Sequence, residues 1–293
     1  MLFRSDGFYR HATTGKRYGG TNNENYGFSL LFTPSDTFDA LLTVEKQEQD
    51  FQPVAANITK TGEAFCGFEP AIECNRNTSD DLYTLFTSPT EGHYRAPSLT
   101  LEMNYDAGDV KITSISSYRS SKEFQTQDFD ASSTDLYFTY RRQKYNQFSQ
   151  ELRAAGKIGS AFDYVLGGYF FKSEYNIRQN TSVFGSDPAL TEQRVHGTSQ
   201  SMAVFGDFNW AFADKWRLSF GGRYTNDRKS TVNSVNFVQF PYADATFNKF
   251  TPKIGVDFRP NDQHMIYASW SRGYRSGGFS GRAQTAFSSV TPF

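Results

Sequence analysis

Apolar residues recur at every second position in runs of about ten residues along this chain. The clearest two runs flank a short polar turn at residues 213–215 and comprise Met202, Val204, Gly206, Phe208 and Trp210 before it and Trp216, Leu218, Phe220, Gly222 and Tyr224 after it. A strand that alternates in this way has one apolar and one polar face. A tilted β-strand needs about 9–11 residues to cross a bilayer, whereas strands of soluble proteins average about 5–6. The pattern therefore predicts an all-β chain whose strands span a membrane.

The strands are joined alternately by short turns and by long polar segments. The short turns lie at residues 34–36, 106–109, 159–161, 213–215 and 260–262, and each contains Gly, Pro, Asn or Asp, which tight reversals use. The long segments lie at residues 51–95, 128–144, 175–198 and 231–248 and after residue 276. This asymmetry is typical of outer-membrane barrels. An opening strand at residues 2–9 and two strands around each turn predict part of an antiparallel up-and-down transmembrane β-barrel, about 11 strands in all.

Composition agrees with a barrel wall and argues against a nucleic-acid-binding protein. Aromatic residues make up 17% of the 293 residues, and the strand ends beside the short turns are aromatic, as at a membrane interface. The net charge of −1 gives no bulk attraction for nucleic acid. The mean hydropathy of −0.59 does not exclude a membrane, because a barrel strand averages lipid-facing and polar residues. A soluble β-sandwich with shorter strands is the alternative.

The sequence contains no catalytic constellation and no metal or cofactor motif. Its four histidines are isolated from one another and lack the spacing of ligand pairs. We therefore predict that the protein is not an enzyme and has no cofactor and no metal. Cys66 and Cys74 lie eight positions apart in a polar segment, which predicts a disulfide that closes a small loop in an oxidising compartment. Two free thiols are the alternative.

Cationic and aromatic residues cluster in the long segments and after the last strand. The candidate ligand-binding residues are Tyr137, Tyr140, Arg141 and Arg142 in one segment, Arg178 and Arg194 in another, and Arg272, Tyr274 and Arg275 after the last strand. Planar guanidiniums and aromatic faces suit anionic, catechol-like or sugar-like ligands. Alternatively, the aromatic residues anchor the wall at the interface and the arginines pair with lipopolysaccharide or lumenal carboxylates. Strand charges such as Arg153, Arg223 and Lys253 are expected to form ladders along the wall or to contact a plug.

Four segments resemble the barrel of TonB-dependent outer-membrane receptors. They read FSQELR at residues 148–153, FGGRYTNDRK at 220–229, FTPKIGV at 250–256 and YASWSRGYRSGGF at 267–279, in the order and at the spacing of that family. The resemblance implies a barrel of about 22 strands filled by an N-terminal plug domain. Residues 1–293 would then be a partial β-barrel domain from which the plug domain and the C-terminal strands are absent.

The resemblance also implies a function and a location. Receptors of this family lie in the outer membrane of Gram-negative bacteria and take up a scarce ligand, often a ferric siderophore, with energy delivered through TonB. The implied partners are a ferric siderophore, the TonB system through the missing plug, and outer-membrane lipid and lipopolysaccharide. A passive porin-like or adhesin barrel and a secreted carbohydrate-active β-domain are the alternatives.

The strand at the start of the last resembling segment has no clear lipid-facing side. Ile266, Ala268 and Trp270 compete with Met265, Tyr267 and Ser269 for that side. The sequence leaves both orientations open, because each set contains two large apolar or aromatic residues.

Overall fold

The computed structural model describes residues 1–54, 65–70, 73–74, 84–86 and 89–293. Its strands are β1 Leu2–Ser5, β2 Tyr9–His11, β3 Arg17–Tyr18, β4 Thr21–Ser35, β5 Phe38–Phe51, β6 Thr84–Leu85, β7 Gly92–Asp106, β8 Val110–Asp128, β9 Tyr137–Ile158, β10 Phe162–Val183, β11 Glu192–Ala213, β12 Trp216–Val235, β13 Val238–Gln239, β14 Ala243–Asn261 and β15 His264–Ser271. The helices within these ranges are two 3-10 turns, Phe65–Gly67 and Pro188–Leu190, and the α-helix α1, Ala286–Val290. No helix among the described residues is long and apolar enough to cross a membrane.

Twelve strands form one large sheet. Eleven of them lie side by side in chain order, β1-β4-β5-β7-β8-β9-β10-β11-β12-β14-β15, and the short β13 pairs with β12. Every neighbouring pair on that path is antiparallel. β3, β2 and β6 form a separate small sheet. The predicted up-and-down wall of 11 strands is confirmed.

All five predicted short turns reverse the chain. β4 ends at Ser35 and β5 begins at Phe38, and the other reversals lie at residues 107–109, 159–161, 214–215 and 262–263. Gly108 and Gly159 have φ angles of 75° and 61°. Only glycine adopts this left-handed region without steric cost, because it has no Cβ. These two glycines therefore fix the reversals from β7 to β8 and from β9 to β10.

The strands extend further on the side opposite the short turns than the sequence pattern predicts. β9, β10 and β11 are each 22 residues long, so the segments at 128–144, 175–198 and 231–248 contain more strand than loop. Pairing continues there, for example between Tyr145 and Tyr175 and between Asn176 and His196. The predicted loop extents were wrong because both faces of these extensions are polar or mixed. The apolar alternation stops while the backbone pairing goes on.

The register divides the wall into two faces, because cross-strand partners point to the same side of a sheet. One face collects the alternating apolar residues: Ile112 pairs with Ala154, and Ala154 pairs with Leu166. Near the short turns this face carries stacked aromatic residues, with 4.4 Å between the ring centroids of Trp216 and Phe258, as in the aromatic girdle of a membrane barrel. We call it the lipid face and the opposite one the lumen face.

The register also settles the orientation of β15. Its alternate residues Ile266, Ala268 and Trp270 pair with Phe258, Val256 and Ile254 of the lipid face, respectively. Tyr267 pairs with Asp257, which belongs to the lumen face. The partner strand therefore supplies the information that the sequence of β15 lacks.

We expect Ile266→Cys in the membrane-embedded protein to react with a lipid-soluble maleimide and to resist a charged, water-soluble one, because its side chain faces acyl chains. Tyr267→Cys, one residue further along, is expected to show the reverse pattern. The mass of the intact labelled protein measures both reactions. Equal labelling of the two positions by the water-soluble reagent would contradict this orientation.

Candidate ligand-facing surface

The lumen face of the spanning region is a ladder of opposite charges. Arg153 lies 3.6 Å from Glu151, and Lys253 forms an ion pair with Asp207 on another strand. Such polar pairs belong on a surface that faces water or protein rather than lipid. The ladder expected for Arg153 and Lys253 is confirmed.

Arg223 departs from that ladder and stacks on aromatic rings. Its guanidinium carbon lies 5.2 Å from the ring centroid of Tyr169 and 5.7 Å from that of Phe205, and its Nε donates a hydrogen bond of 3.1 Å to Thr225 Oγ1. Phe205 lies directly over Gly167, where a Cβ would overlap the ring. The missing side chain of Gly167 thus makes room for the ring on which the cation rests.

Further from the short turns than Arg223, the lumen face becomes aromatic and partly buried. Tyr145 pairs with Tyr175 across β9 and β10, and burial raises the pKa of Tyr175 above its ordinary value against the opposing effect of a hydrogen bond with Thr231. Nearby, Arg141 donates from its Nη2 to Glu123 Oε1 at 2.7 Å, with both side chains largely buried. The surface therefore offers the neutral phenol of Tyr175 near an ion pair whose charges already compensate each other.

Residues 272–293 fold back over this part of the lumen face. Lys229 Nζ donates to the carbonyl oxygen of Gly277 at 2.8 Å, and Asn233 Nδ2 donates to the carbonyl oxygen of Ser280 at 3.1 Å and to Ser289 Oγ at 3.0 Å. Tyr274 lies beside Asp227, and burial together with this carboxylate raises the pKa of Tyr274 to about 12. The segment is therefore fixed to the wall by polar contacts, and Tyr274 is a neutral phenol at physiological pH.

The nine candidate residues do not form one site. Their placement is as follows: Tyr137 and Arg141 lie on the lumen face, Tyr140, Arg142, Arg178 and Arg194 lie on the extension of the lipid face, and Arg272, Tyr274 and Arg275 lie in the folded-back segment. Adjacent residues of β9 alternate between the faces, so Arg141 and Arg142 point in opposite directions. Two separate surfaces result, and one of them faces away from the lumen.

The surface that faces away from the lumen is built around one buried carboxylate. The side chain of Glu192 is 2% exposed and forms ion pairs with Arg178 and Arg194. Burial favours the neutral acid, but hydrogen bonds from Arg194 and Arg178 and the charges of both guanidiniums outweigh it, so the pKa of Glu192 lies below its ordinary value. Arg142, the direct partner of Arg178, stacks 5.3 Å over the Phe124 ring.

Cys66 and Cys74 form a disulfide with 5.0 Å between their Cα atoms. The neighbouring Glu73 carboxylate accepts a 2.8 Å hydrogen bond from the backbone nitrogen of Ser133 and a second bond from its hydroxyl. The disulfide segment is therefore attached to the connection between β8 and β9. No group of three or more His, Cys, Asp or Glu side chains within the described ranges is placed to hold a metal ion.

The sequence reasoning missed the aromatic residues of the lumen face and the buried carboxylate. Tyr169, Tyr175 and Phe205 occupy alternate positions of their strands, so a count of period two could have placed them on the face opposite the apolar runs. Glu192 gave no such signal, because it begins β11 outside any apolar alternation.

The chain is similar to known proteins along its whole length. The family model described as TonB dependent receptor-like, beta-barrel matches residues 3–292. The pesticin receptors of Yersinia enterocolitica and Yersinia pestis are each 24% identical over 232 residues, which is 73% of this chain and 33% of each receptor. The chain thus spans about a third of the length of these curated relatives.

Solved structures share its fold. The ferric yersiniabactin uptake receptor FyuA from Yersinia pestis matches with a TM-score of 0.80 over 100% of this chain and 44% of that one, at 19% identity. The ferric-catecholate import receptor Fiu from E. coli K12 matches with a TM-score of 0.68 over 92% of this chain and 49% of that one, at 12% identity. Identities this low establish the fold alone. Because the family model covers residues 3–292, the chain belongs to the TonB-dependent receptor-like β-barrel family of the bacterial outer membrane.

Proposed function

We propose that this chain is part of the barrel wall of an outer-membrane receptor that takes up a ferric siderophore with energy delivered through TonB. The family match over residues 3–292 carries the proposal. Two proteins of the same fold are described as an uptake receptor for ferric yersiniabactin and an import receptor for ferric catecholates, which supports this class of cargo. In this proposal the protein transports its ligand and catalyses no reaction.

We also propose that the plug, the TonB-binding segment and the remaining strands belong to the longer protein that contains this chain. The chain spans 33% of the pesticin receptors that it resembles. Eleven strands in one open path make up half of a barrel of about 22 strands. Transport is therefore a property proposed for the whole receptor, to which this chain contributes wall and ligand-facing surface.

Within that surface, Arg272 and Arg275 are the proposed contacts for an anionic ligand. Both side chains are exposed in the folded-back segment, and among the described residues no carboxylate lies within ion-pair distance of either. Arg141 is already paired with Glu123, and Tyr274 lies half-buried beside Asp227. Tyr137, Arg141 and Tyr274 are therefore proposed to shape the surface. Arg272 and Arg275 are proposed to supply its uncompensated positive charge.

Uptake of iron tests the proposed function. The receptor, produced with its native flanking sequence in E. coli that lacks its own siderophore receptors, is expected to import radioactive iron from a ferric siderophore at nanomolar supply. The same cells without TonB are expected to import none. Uptake that persists without TonB would contradict the proposal and would favour a passive porin.

The double substitution Arg272→Ala/Arg275→Ala is expected to weaken siderophore binding about tenfold or more, because each lost contact is a charge-assisted hydrogen bond. The matched control is Arg217→Ala/Arg259→Ala, which removes the same charge near the short turns, at the opposite end of the sheet. Binding is measured on the purified receptor by the quenching of its intrinsic fluorescence. Equal affinities of the two variants would remove Arg272 and Arg275 from the site.

A further inference from the structure

The lipid face of the wall becomes strongly basic where it leaves the bilayer. Beyond Phe148 on β9 and Phe170 on β10, six cations share this face on four adjacent strands. Lys172 directly follows the apolar band, and the other five lie further out: Lys122, Arg142, Lys144, Arg178 and Arg194, which we call the basic patch. Lys144 and Arg142 lie four and six residues beyond Phe148, roughly 13 and 20 Å along the strand and less above the membrane because the strands tilt. The basic patch therefore begins a short distance outside the apolar band.

The basic patch places like charges directly opposite one another. Arg142 pairs with Arg178 and Arg178 with Arg194, and in the next row Lys122 pairs with Lys144. Such like-charged pairs destabilise a sheet unless an anion lies between them. Glu192 compensates part of the charge of Arg178 and Arg194. Within the described ranges, no carboxylate lies within ion-pair distance of Lys122, Arg142 or Lys144.

The basic patch also has the shape of a binding surface. A cavity of about 750 Å³ is lined by Arg142, Lys144, Arg178 and Arg194 around Glu192, and an adjoining one of about 280 Å³ is lined by Tyr140, Arg142 and Arg178. Guanidiniums bind phosphate through two parallel hydrogen bonds, so neighbouring arginines can hold several phosphate oxygens at once. Arg178 and Arg194 are held in place by the buried Glu192 carboxylate.

We propose that the basic patch binds the phosphate groups of a phosphorylated glycolipid of the outer leaflet, namely lipopolysaccharide. The apolar band directly below the basic patch covers the level of the acyl chains, and the basic patch covers the level of the charged headgroup and inner sugars. A single amphipathic molecule therefore matches both surfaces along the same strands. This site lies on the face opposite the lumen, so it is separate from the proposed siderophore surface.

The test uses the detergent-purified receptor with its native flanking sequence and two probes, lipopolysaccharide with a phosphorylated core and the same material after chemical dephosphorylation. The variant Lys122→Gln/Arg142→Gln/Lys144→Gln removes the three cations that have no carboxylate partner. Its matched control, Lys111→Gln/Arg153→Gln/Lys157→Gln, removes the same charge from the lumen face. At low ionic strength the variant is expected to bind the phosphorylated probe about 100-fold more weakly than the native protein, and the control within about twofold of it.

Each outcome decides the proposal. Weak binding of the dephosphorylated probe by all three proteins supports a phosphate site. Equal binding of the phosphorylated probe by the variant and the control would overturn the proposal, and so would displacement of this probe by an equal concentration of inorganic pyrophosphate. TonB-dependent iron uptake is measured on the same three proteins, and its absence in the native protein would contradict the proposed function but not the basic patch. Loss of glycolipid binding with retained uptake therefore supports the basic patch as a site of its own.

Discussion

Leu166→Arg is expected to lower the free energy of unfolding of the membrane-embedded protein by about 2–4 kcal/mol. Leu166 is the middle one of five lipid-face residues on β10, from Phe162 to Phe170, and its side chain is 46% exposed toward the bilayer. An arginine there would place its guanidinium near the midplane, where the cost of charge burial is greatest. Urea titration in lipid vesicles measures the change.

Val165→Arg is the matched control for this substitution. Val165 pairs with Asp207 on the lumen face, so the new guanidinium would lie beside a carboxylate rather than among acyl chains. Its cost is expected to stay below about 1 kcal/mol. All three tryptophans, Trp210, Trp216 and Trp270, lie on the lipid face and report unfolding from the bilayer. Equal destabilisation by the two substitutions would contradict the division of the wall into two faces.

The sequence predicted the spanning part of the fold because a bilayer enforces a strict rule there. Every second residue must be apolar over the full crossing, and residues such as Gly108 and Gly159 mark the reversals. Beyond the bilayer that rule no longer applies. The extensions of β9 to β12 are held by backbone pairing among mixed residues such as Asn176 and His196, so single-strand periodicity could not detect them.

The sequence grouped the candidate residues as one basic and aromatic set, and it could not divide them between surfaces. Arg141 and Arg142 are neighbours in the chain and lie on opposite faces. Their assignment depends on the register of β9 against β8 and β10, which a single segment does not contain. The same limit applied to β15, whose orientation came from Val256 and Ile254 of its partner strand.

Glu192→Gln is expected to lower the free energy of local opening of the outer β10–β11 ribbon by about 2 kcal/mol, because it removes the carboxylate that forms ion pairs with both of the directly opposed Arg178 and Arg194. Amides near these residues should then exchange hydrogen about 30-fold faster. Glu174→Gln is the control, since this exposed carboxylate on β10 lies 3.7 Å from His196 and contributes a surface contact only. Comparable exchange in the two variants would contradict a structural role for Glu192.

The same residue predicts a pH dependence. Since the pKa of Glu192 is lowered in the folded protein, its stabilisation is complete above the unfolded carboxyl pKa of about 4.3 and is lost as the pH falls through the folded value. The protection factors of the ribbon amides, which correct the measured exchange for its intrinsic pH dependence, should therefore fall on acidification of the native protein. This step should be missing in Glu192→Gln. An identical acid response of both proteins would assign the step to another group.

Glu192→Gln also separates a structural role of the carboxylate from its effect on the basic patch. Removing one negative charge from the middle of the basic patch is expected to strengthen the binding of phosphorylated lipopolysaccharide about fivefold at low ionic strength, even though the ribbon becomes less stable. The two effects have opposite signs because the carboxylate holds Arg178 and Arg194 in place while competing with the phosphates for their charge. If Glu192 only maintained the shape of the patch, the substitution would weaken both stability and binding.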